Sequence, residues 1–138
     1  MTRINLVPPS ELYDQHLVAE YREITMVPGS LARTLKSKSG YRPEKVPHEF
    51  TLNAGHVYFF YNKGKYLSLR YKELVAEMKL RGMNPDPSRK FPNAVFPKEL
   101  FNDWVPSEKD KDIIRERIAK RVSQKPDWYR KTGYMNDR

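Results

Sequence analysis

The chain contains no cysteine, and this absence removes several kinds of chemistry at once. Disulfides, thiolate zinc sites and cysteine nucleophiles are all excluded. No apolar run approaches the roughly 20 residues that a transmembrane helix needs, and the amino terminus lacks the basic-then-apolar pattern of a signal peptide. These absences predict a cytoplasmic protein that is neither exported nor inserted in a membrane.

Cofactor signatures are absent as well. The histidines His16, His48 and His56 have no metal-ligand spacing with one another or with carboxylates, and we expect His56 to satisfy a buried hydrogen bond instead. There is no glycine-rich phosphate loop. We therefore expect neither a metal nor a cofactor.

The chain has an excess of positive charge together with many aromatic side chains. It contains 26 lysines and arginines against 17 aspartates and glutamates, a net charge of +9, with 9 tyrosines, 6 phenylalanines and 2 tryptophans. This combination favours a nucleic-acid partner; the alternative is a basic surface over an aromatic core. The length suits a single domain over residues 1–138.

The hydrophobic pattern predicts a mostly α protein. We expect a compact domain of about three main helices, with long irregular loops and an ordered aromatic C-terminal tail. Apolar side chains recur at helical spacing over residues 11–24, an interruption is expected at Pro28 and Gly29, and a short basic helix should cover residues 30–38.

Two further helices are predicted in the second half of the chain. After Asn62-Lys63-Gly64, apolar residues at i, i+4, i+7, i+8 and i+11, beginning with Leu67, indicate an amphipathic helix that ends near Gly82. Another should begin after Ser107, with Asp110 as its capping partner, and end before Pro126.

The remaining segments are less regular. Residues 50–61 are rich in aromatic and β-branched side chains, which predicts a strand. Residues 82–106 contain five prolines and should wrap irregularly over the surface. The aromatic anchors of this wrap are expected to be Phe91, Phe96, Phe101 and Trp104.

The first predicted helix carries a candidate acid–base pair. Residues seven apart differ by only about 20° in direction, so His16 and Glu23 share one face, and Gln15 and Arg22 share another. The small Ala19 between His16 and Glu23 leaves that face open. The alternative for the same spacing is a solvated helix face.

The amino terminus supplies a candidate nucleophile. Removal of Met1 should expose Thr2 as a free α-amine, whose unperturbed pKa of about 7.7–8.0, against about 10.4 for lysine, leaves far more of it unprotonated at neutral pH than of a lysine amine. Such an amine can attack the anomeric carbon of a deoxyribose and form an imine, if a carboxylate neutralises the cationic sugar as the base departs. A frayed, non-catalytic terminus is the alternative.

The last helix and the tail carry a candidate DNA-binding surface. Arg117, Lys120 and Arg121 share a face that could track phosphates, and Trp128 and Tyr129 could contact unstacked bases. The structural alternatives are a solvated helix face and a tail that anchors the carboxy terminus in the core.

Four segments carry a family resemblance. They are Met1-Thr2-Arg3-Ile4-Asn5-Leu6, Asp14-Gln15-His16-Leu17 followed by Ala19-Glu20-Tyr21-Arg22-Glu23, Gly55-His56-Val57 followed by Phe59-Phe60-Tyr61, and Pro126 with Trp128-Tyr129. In order, spacing and total length, the whole chain resembles the pyrimidine dimer DNA glycosylases of the phage endonuclease V type.

The resemblance implies an enzyme that acts on cyclobutane pyrimidine dimers in double-stranded DNA, as a glycosylase with an associated abasic-site lyase. It implies no metal or cofactor, no obligatory protein partner and a monomer. In the family, the α-amine matching Thr2 attacks the sugar of the dimer's 5′ nucleotide, and the carboxylate matching Glu23 stabilises the cationic intermediate and assists elimination. The residues expected to contact DNA or shape the site are Arg3, Gln15, His16, Arg22, Arg117, Arg121, Trp128, Tyr129 and Arg130.

The family also kinks the duplex and expels the adenine opposite the lesion into a protein cavity. This sequence departs from the prototype at Met26, where an arginine would help to hold phosphate, and at Arg121, which replaces a lysine. Two alternative functions stay open: a non-catalytic basic DNA-binding protein, and a lyase for abasic sites or ring-opened purines without dimer preference.

Overall fold

A computed structural model of the protein describes residues 3–133, and Thr2 lies outside them. Within that range the chain forms five α-helices and four single-turn 3-10 helices, and no strand. The predicted mostly α fold is therefore confirmed. The α-helices are α1 (Asp14–Glu23), α2 (Met26–Lys36), α3 (His56–Phe59), α4 (Gly64–Leu80) and α5 (Glu108–Gln124).

The interruption predicted at Pro28 and Gly29 is wrong, because the chain breaks earlier, at Ile24 and Thr25. Pro28 is the third residue of α2, where a backbone N–H has no acceptor within the helix. A proline there removes no hydrogen bond, and its fixed φ suits a helix. The basic helix consequently starts at Met26 and ends at Lys36.

The strand predicted over residues 50–61 is also wrong, because this segment folds as turns around α3. Gly55 precedes the helix with a φ of 98°, a left-handed conformation that favours glycine. His56, Phe59 and Phe60 then fall at i, i+3 and i+4, and all three are buried. Burial of this helical face outweighs the β propensity of the side chains.

The two helices predicted in the second half are confirmed as α4 and α5. α4 ends shortly before Gly82, which has a φ of 84°. At the start of α5 the Ser107 hydroxyl accepts from the N–H of Asp110, and the Asp110 carboxylate accepts from the N–H of Ser107, both at 3.1 Å. None of the helices within residues 3–133 is long and apolar enough to cross a membrane.

Residues 82–106 form the predicted irregular wrap. Its aromatic side chains pack on the core as expected: Phe91 and Phe96 are buried, and Phe101 and Trp104 are partly buried. An ideal Cβ on Gly64, the first residue of α4, would lie only 2.6 Å from the Phe96 ring. This close approach therefore requires glycine at position 64.

The N-terminal segment of residues 4–7, here called the arm, is part of the core. Ile4 and Val7 are fully buried, and Asn5 and Leu6 are nearly so. Leu6 has a φ of 56°, an uncommon conformation for a residue with a side chain. The arm is thus a fixed structural element, although it belongs to neither helix nor sheet.

Candidate active site

A small cavity of about 100 Å³ lies where the N-terminal segment meets α1 and α5. Glu23 and His16 both line it, with Ala19 between them, so the face predicted from the seven-residue spacing is confirmed. The complete lining is Arg3, Asn5, His16, Ala19, Glu20, Glu23 and Arg117.

Two arginines, Arg3 and Arg117, line the cavity with Glu23, and Arg121 acts on both of them through its charge. Burial and the charge of Arg121 lower the pKa of Arg3, whereas Glu23 raises it. Burial, Arg3 and Arg121 likewise lower the pKa of Arg117, and Glu23 again opposes them. Because Glu20 is already paired with Arg70, Glu23 faces Arg3 and Arg117 with no second unpaired carboxylate in the described lining, and the excess positive charge favours an anion such as a phosphate group.

His16 contributes a neutral ring to this cationic site. Burial, assisted by Arg117 and Arg121, lowers the pKa of His16 to about 4, so the imidazole is uncharged near neutral pH. Its Nδ1 is buried and has no hydrogen-bond partner within residues 3–133. The ring stacks on Tyr129 with the centroids 4.9 Å apart and 2° between the planes. His16 thus offers a polar atom without adding charge.

His56 holds the arm from α3. The N–H of Ile4 donates to His56 Nε2 at 3.0 Å, and His56 Nδ1 lies 2.7 Å from the carbonyl oxygen of Thr51. Because Nε2 accepts, Nδ1 carries the proton and donates to Thr51. Burial lowers the pKa of His56, which favours this neutral form. The buried hydrogen-bonding role predicted for His56 is confirmed.

Glu20 and Arg70 hold the rest of the arm. Arg70 donates to both carboxylate oxygens of Glu20, at 2.7 and 3.0 Å, and to the carbonyl oxygen of Val7 at 2.5 Å. Glu20 also accepts from the backbone and side-chain N–H groups of Asn5, at 3.2 and 2.9 Å. Sequence reasoning missed this buried pair. The available signal was the position of Arg70 on the apolar face of α4, with Leu67, Tyr71 and Leu74.

Gln15 contacts the C-terminal segment instead of the cavity. Its Nε2 donates to the carbonyl oxygen of Trp128 at 2.5 Å, and its Oε1 accepts from the N–H of Arg130 at 3.2 Å. Residues 128–132, here called the tail, therefore dock on the first turn of α1. The Trp128 side chain remains 54% exposed.

A larger groove of about 670 Å³ lies next to the cavity, and Arg3 lines both of them. Met26, on α2, lines the groove and is exposed. Arg33 and Lys45 add positive charge, and Tyr58 and Tyr61 add aromatic surface. Cations combined with aromatic rings suit a nucleotide.

The predicted site residues fall into distinct groups. The cavity brings together Arg3, His16, Glu23 and Arg117, and Arg121 acts on three of them through its charge. The tail contains Trp128, Tyr129 and Arg130, and Gln15 contacts it. Arg22 is exposed and does not line the cavity. Among residues 3–133, no cluster of histidine, aspartate and glutamate has the arrangement of a metal site.

A cavity that presents Glu23 among arginines, on a small basic helical protein, is suited to a nucleic-acid ligand. The family model of the pyrimidine dimer DNA glycosylases matches residues 1–91 of the 138-residue chain. The chain belongs to this family, and the resemblance seen in the sequence is confirmed. The match includes Glu23 and the arm but ends before α5 and the tail.

Proposed function

We propose that the protein is a bifunctional repair enzyme, a pyrimidine dimer DNA glycosylase with abasic-site lyase activity, whose nucleophile is the α-amine of Thr2. One observation carries the proposal: Glu23 shares a cavity with Arg3, Arg117 and a neutral His16 beside the anchored arm. The enzyme acts on double-stranded DNA as a monomer, without a metal or cofactor.

The first step is base release. The unprotonated amine attacks C1′ of the dimer's 5′ nucleotide, and the glycosidic C–N bond breaks with its electron pair on the pyrimidine, which takes up a proton. Glu23 stabilises the positive charge that develops on the sugar. The attached nitrogen then loses one proton, its lone pair breaks the C1′–O4′ bond as O4′ takes up a proton, and a protonated imine joins Thr2 to C1′.

The second step is strand incision. Loss of a proton from C2′ drives cleavage of the C3′–O bond, and the phosphate leaves with that electron pair. Glu23 assists the proton transfer, and the surrounding arginines stabilise the departing phosphate through charge-assisted hydrogen bonds. Water then hydrolyses the imine and regenerates the amine.

Anchoring of the arm supports this chemistry. Ile4 is fixed by His56, and two residues of chain span at most about 7 Å, so the α-amine of Thr2 has a short reach. A nucleophile that is held close to its target loses less entropy on reaching the transition state than a freely diffusing one. The same confinement would be lost if extra residues preceded Thr2.

We also propose that the larger groove receives a base expelled opposite the lesion. It adjoins the cavity at Arg3 and presents tyrosine side chains on which a base can stack. Expulsion costs least where the duplex is already poorly stacked, as at a dimer. Lesion shape would then supply most of the specificity.

Covalent trapping tests the proposed nucleophile. Tag-free protein is incubated with ultraviolet-irradiated, abasic or undamaged duplex in sodium borohydride and a chelator, and mass spectrometry locates any adduct. We expect an adduct at Thr2 with the irradiated and the abasic duplex, none with the undamaged duplex, and none with protein that carries residues fused before Met1. No adduct, with salt-sensitive binding to irradiated and undamaged duplex alike, would favour the non-catalytic alternative; adducts with abasic but not irradiated duplex would favour the lyase without dimer preference.

Glu23→Gln tests the carboxylate. This variant should bind irradiated duplex like the parent but cleave it at least about a hundredfold more slowly, because the cationic sugar loses its stabilising charge. Glu73→Gln, at an exposed position of α4, makes the same change of charge and should cleave normally. Equal cleavage by Glu23→Gln and the parent would refute the role of Glu23.

A further inference from the structure

Asp14, the first residue of α1, contacts the tail through both its backbone and its side chain. Its N–H donates to the carbonyl oxygen of Arg130 at 2.6 Å. Its carboxylate accepts from the N–H of Thr132 at 3.1 Å and from the Thr132 hydroxyl. One residue thereby fixes two positions of the tail.

Gln15 completes the docking at the other end of the tail. Its side-chain amide donates to Trp128 and accepts from Arg130, so it pairs with the tail as a neighbouring peptide group would. Asp14 and Gln15 together hold residues 128, 130 and 132, and Tyr129 lies between the held positions.

Asp14 is itself held by the core. The Arg81 side chain is fully buried and donates to Asp14 at 2.8 Å. The same guanidinium donates to Glu77 at 2.9 Å and to the carbonyl oxygen of Leu12 at 2.7 Å. The tail therefore docks on a rigid support that extends from the end of α4 through Asp14.

Docking places an aromatic wall beside the cavity. Tyr129 stacks on His16, and its ring meets Tyr13 edge to face at 5.6 Å. Trp128 packs edge to face on Tyr129 at 5.0 Å while keeping an exposed surface. A tail that came off α1 would leave His16 uncovered and would disperse both rings.

We propose that Asp14 and Gln15 are positioning residues, which dock the tail on α1 so that Tyr129 covers His16 at the edge of the cavity and Trp128 meets damaged duplex DNA. This inference rests on the proposed function, since it requires DNA at the cavity. Asp14 and Thr132 thereby hold the tail in place, a role that neither composition nor helical spacing indicates.

Two substitutions test the docking without disturbing the buried Arg81. Gln15→Leu removes both amide hydrogen bonds at nearly constant shape, and Thr132→Val removes the hydroxyl that donates to Asp14. Thr132→Ser keeps that hydroxyl and should behave like the parent. Ser123→Ala is the matched control, because it removes an exposed hydroxyl of α5 whose hydrogen bond lies within the helix.

Tail position and DNA binding are measured separately. NMR of the His16 imidazole should show loss of the Tyr129 ring-current shift in Gln15→Leu and, to a smaller extent, in Thr132→Val. The Kd for irradiated duplex should rise about tenfold in Gln15→Leu, as expected for two lost hydrogen bonds.

Two outcomes would overturn the inference: a His16 signal that stays in place in both variants, or a displaced signal with an unchanged Kd for irradiated duplex. These readouts do not depend on catalysis. If the parent formed no borohydride adduct, the proposed chemistry would fail, and the Kd of Gln15→Leu would still decide whether the tail is positioned for DNA.

Discussion

The arm at residues 4–7 lines the cavity through Asn5, and the tail at residues 128–132 adjoins it through Tyr129, which stacks on the lining residue His16. Different kinds of contact hold the two segments. The arm is fixed by His56 and by the ion pair of Glu20 with Arg70, all of them buried. The tail is fixed by hydrogen bonds of Asp14 and Gln15 that lie at the surface. Buried polar networks tolerate little change, because an unpaired member costs its full desolvation, whereas surface groups can exchange their partners for water. The comparison indicates a rigid segment next to the proposed nucleophile and a more adaptable segment at the proposed DNA contact.

The largest expected effect comes from breaking the buried pair. Arg70→Met leaves the Glu20 carboxylate buried without its cation and should lower the free energy of unfolding by about 3–5 kcal/mol in urea denaturation. Gln15→Leu, which removes two hydrogen bonds from the tail, should cost about 2 kcal/mol or less in the same assay. If both substitutions cost the same, the proposed contrast between arm and tail is wrong.

A double variant separates the effect of the buried charge on the free energy of unfolding from the effect of packing. Glu20→Leu combined with Arg70→Met removes both buried charges and should recover part of the stability lost in Arg70→Met. Recovery will be incomplete because Asn5 loses the carboxylate that accepts its two N–H groups.

An intermediate effect is expected at His56. His56→Phe keeps an aromatic ring among Phe50 and Phe60 but leaves the N–H of Ile4 without an acceptor, which should cost about 1–3 kcal/mol. Hydrogen exchange at that N–H should accelerate. His56→Gln can place an amide oxygen near the position of Nε2 and should exchange more slowly than His56→Phe; equal rates would show that the imidazole does not hold the arm.

The smallest effect is a pH dependence that both regions share. The unfolded chain takes up a proton at His16 near its ordinary pKa of 6.5, whereas the folded chain does so only near 4, so stability present above pH 6.5 is lost as the pH falls through this window. The lowered pKa of His56 acts in the same direction. Urea denaturation at pH 7 and pH 5 should show a loss that is smaller in His16→Gln; an equal loss in that variant would contradict the neutral state of His16.

The sequence predicted elements whose signals are local. The capping pair Ser107 and Asp110 and the apolar periodicity before Gly82 placed α5 and α4 correctly. The strand over residues 50–61 was wrong because consecutive buried aromatics have no clear period, and the turn at Gly55 decides the conformation. Pro28 was misread because a proline inside a helical pattern can mark the first turn as well as an interruption.

The part of the candidate site that lies on a single helix was predictable from the sequence. His16 and Glu23 were paired correctly because α1 alone sets their spacing. Gln15 was assigned to DNA or the site, and its contacts with the tail depend on the packing of residues more than a hundred positions apart. The pairing of Arg70 with Glu20 likewise joins two helices and has no local signature.

Arg3 borders both the cavity around Glu23 and the larger groove, so a single guanidinium is the partition between two compartments. A charge that enters either compartment changes the electrostatic free energy of that guanidinium. The affinity of the other compartment for its own ligand therefore changes as well. Such linkage is reciprocal: whatever filling the groove does to affinity in the cavity, filling the cavity does equally to the groove. Under the proposed function one distorted duplex fills both spaces, so its affinity for the cavity and its affinity for the groove are coupled through Arg3.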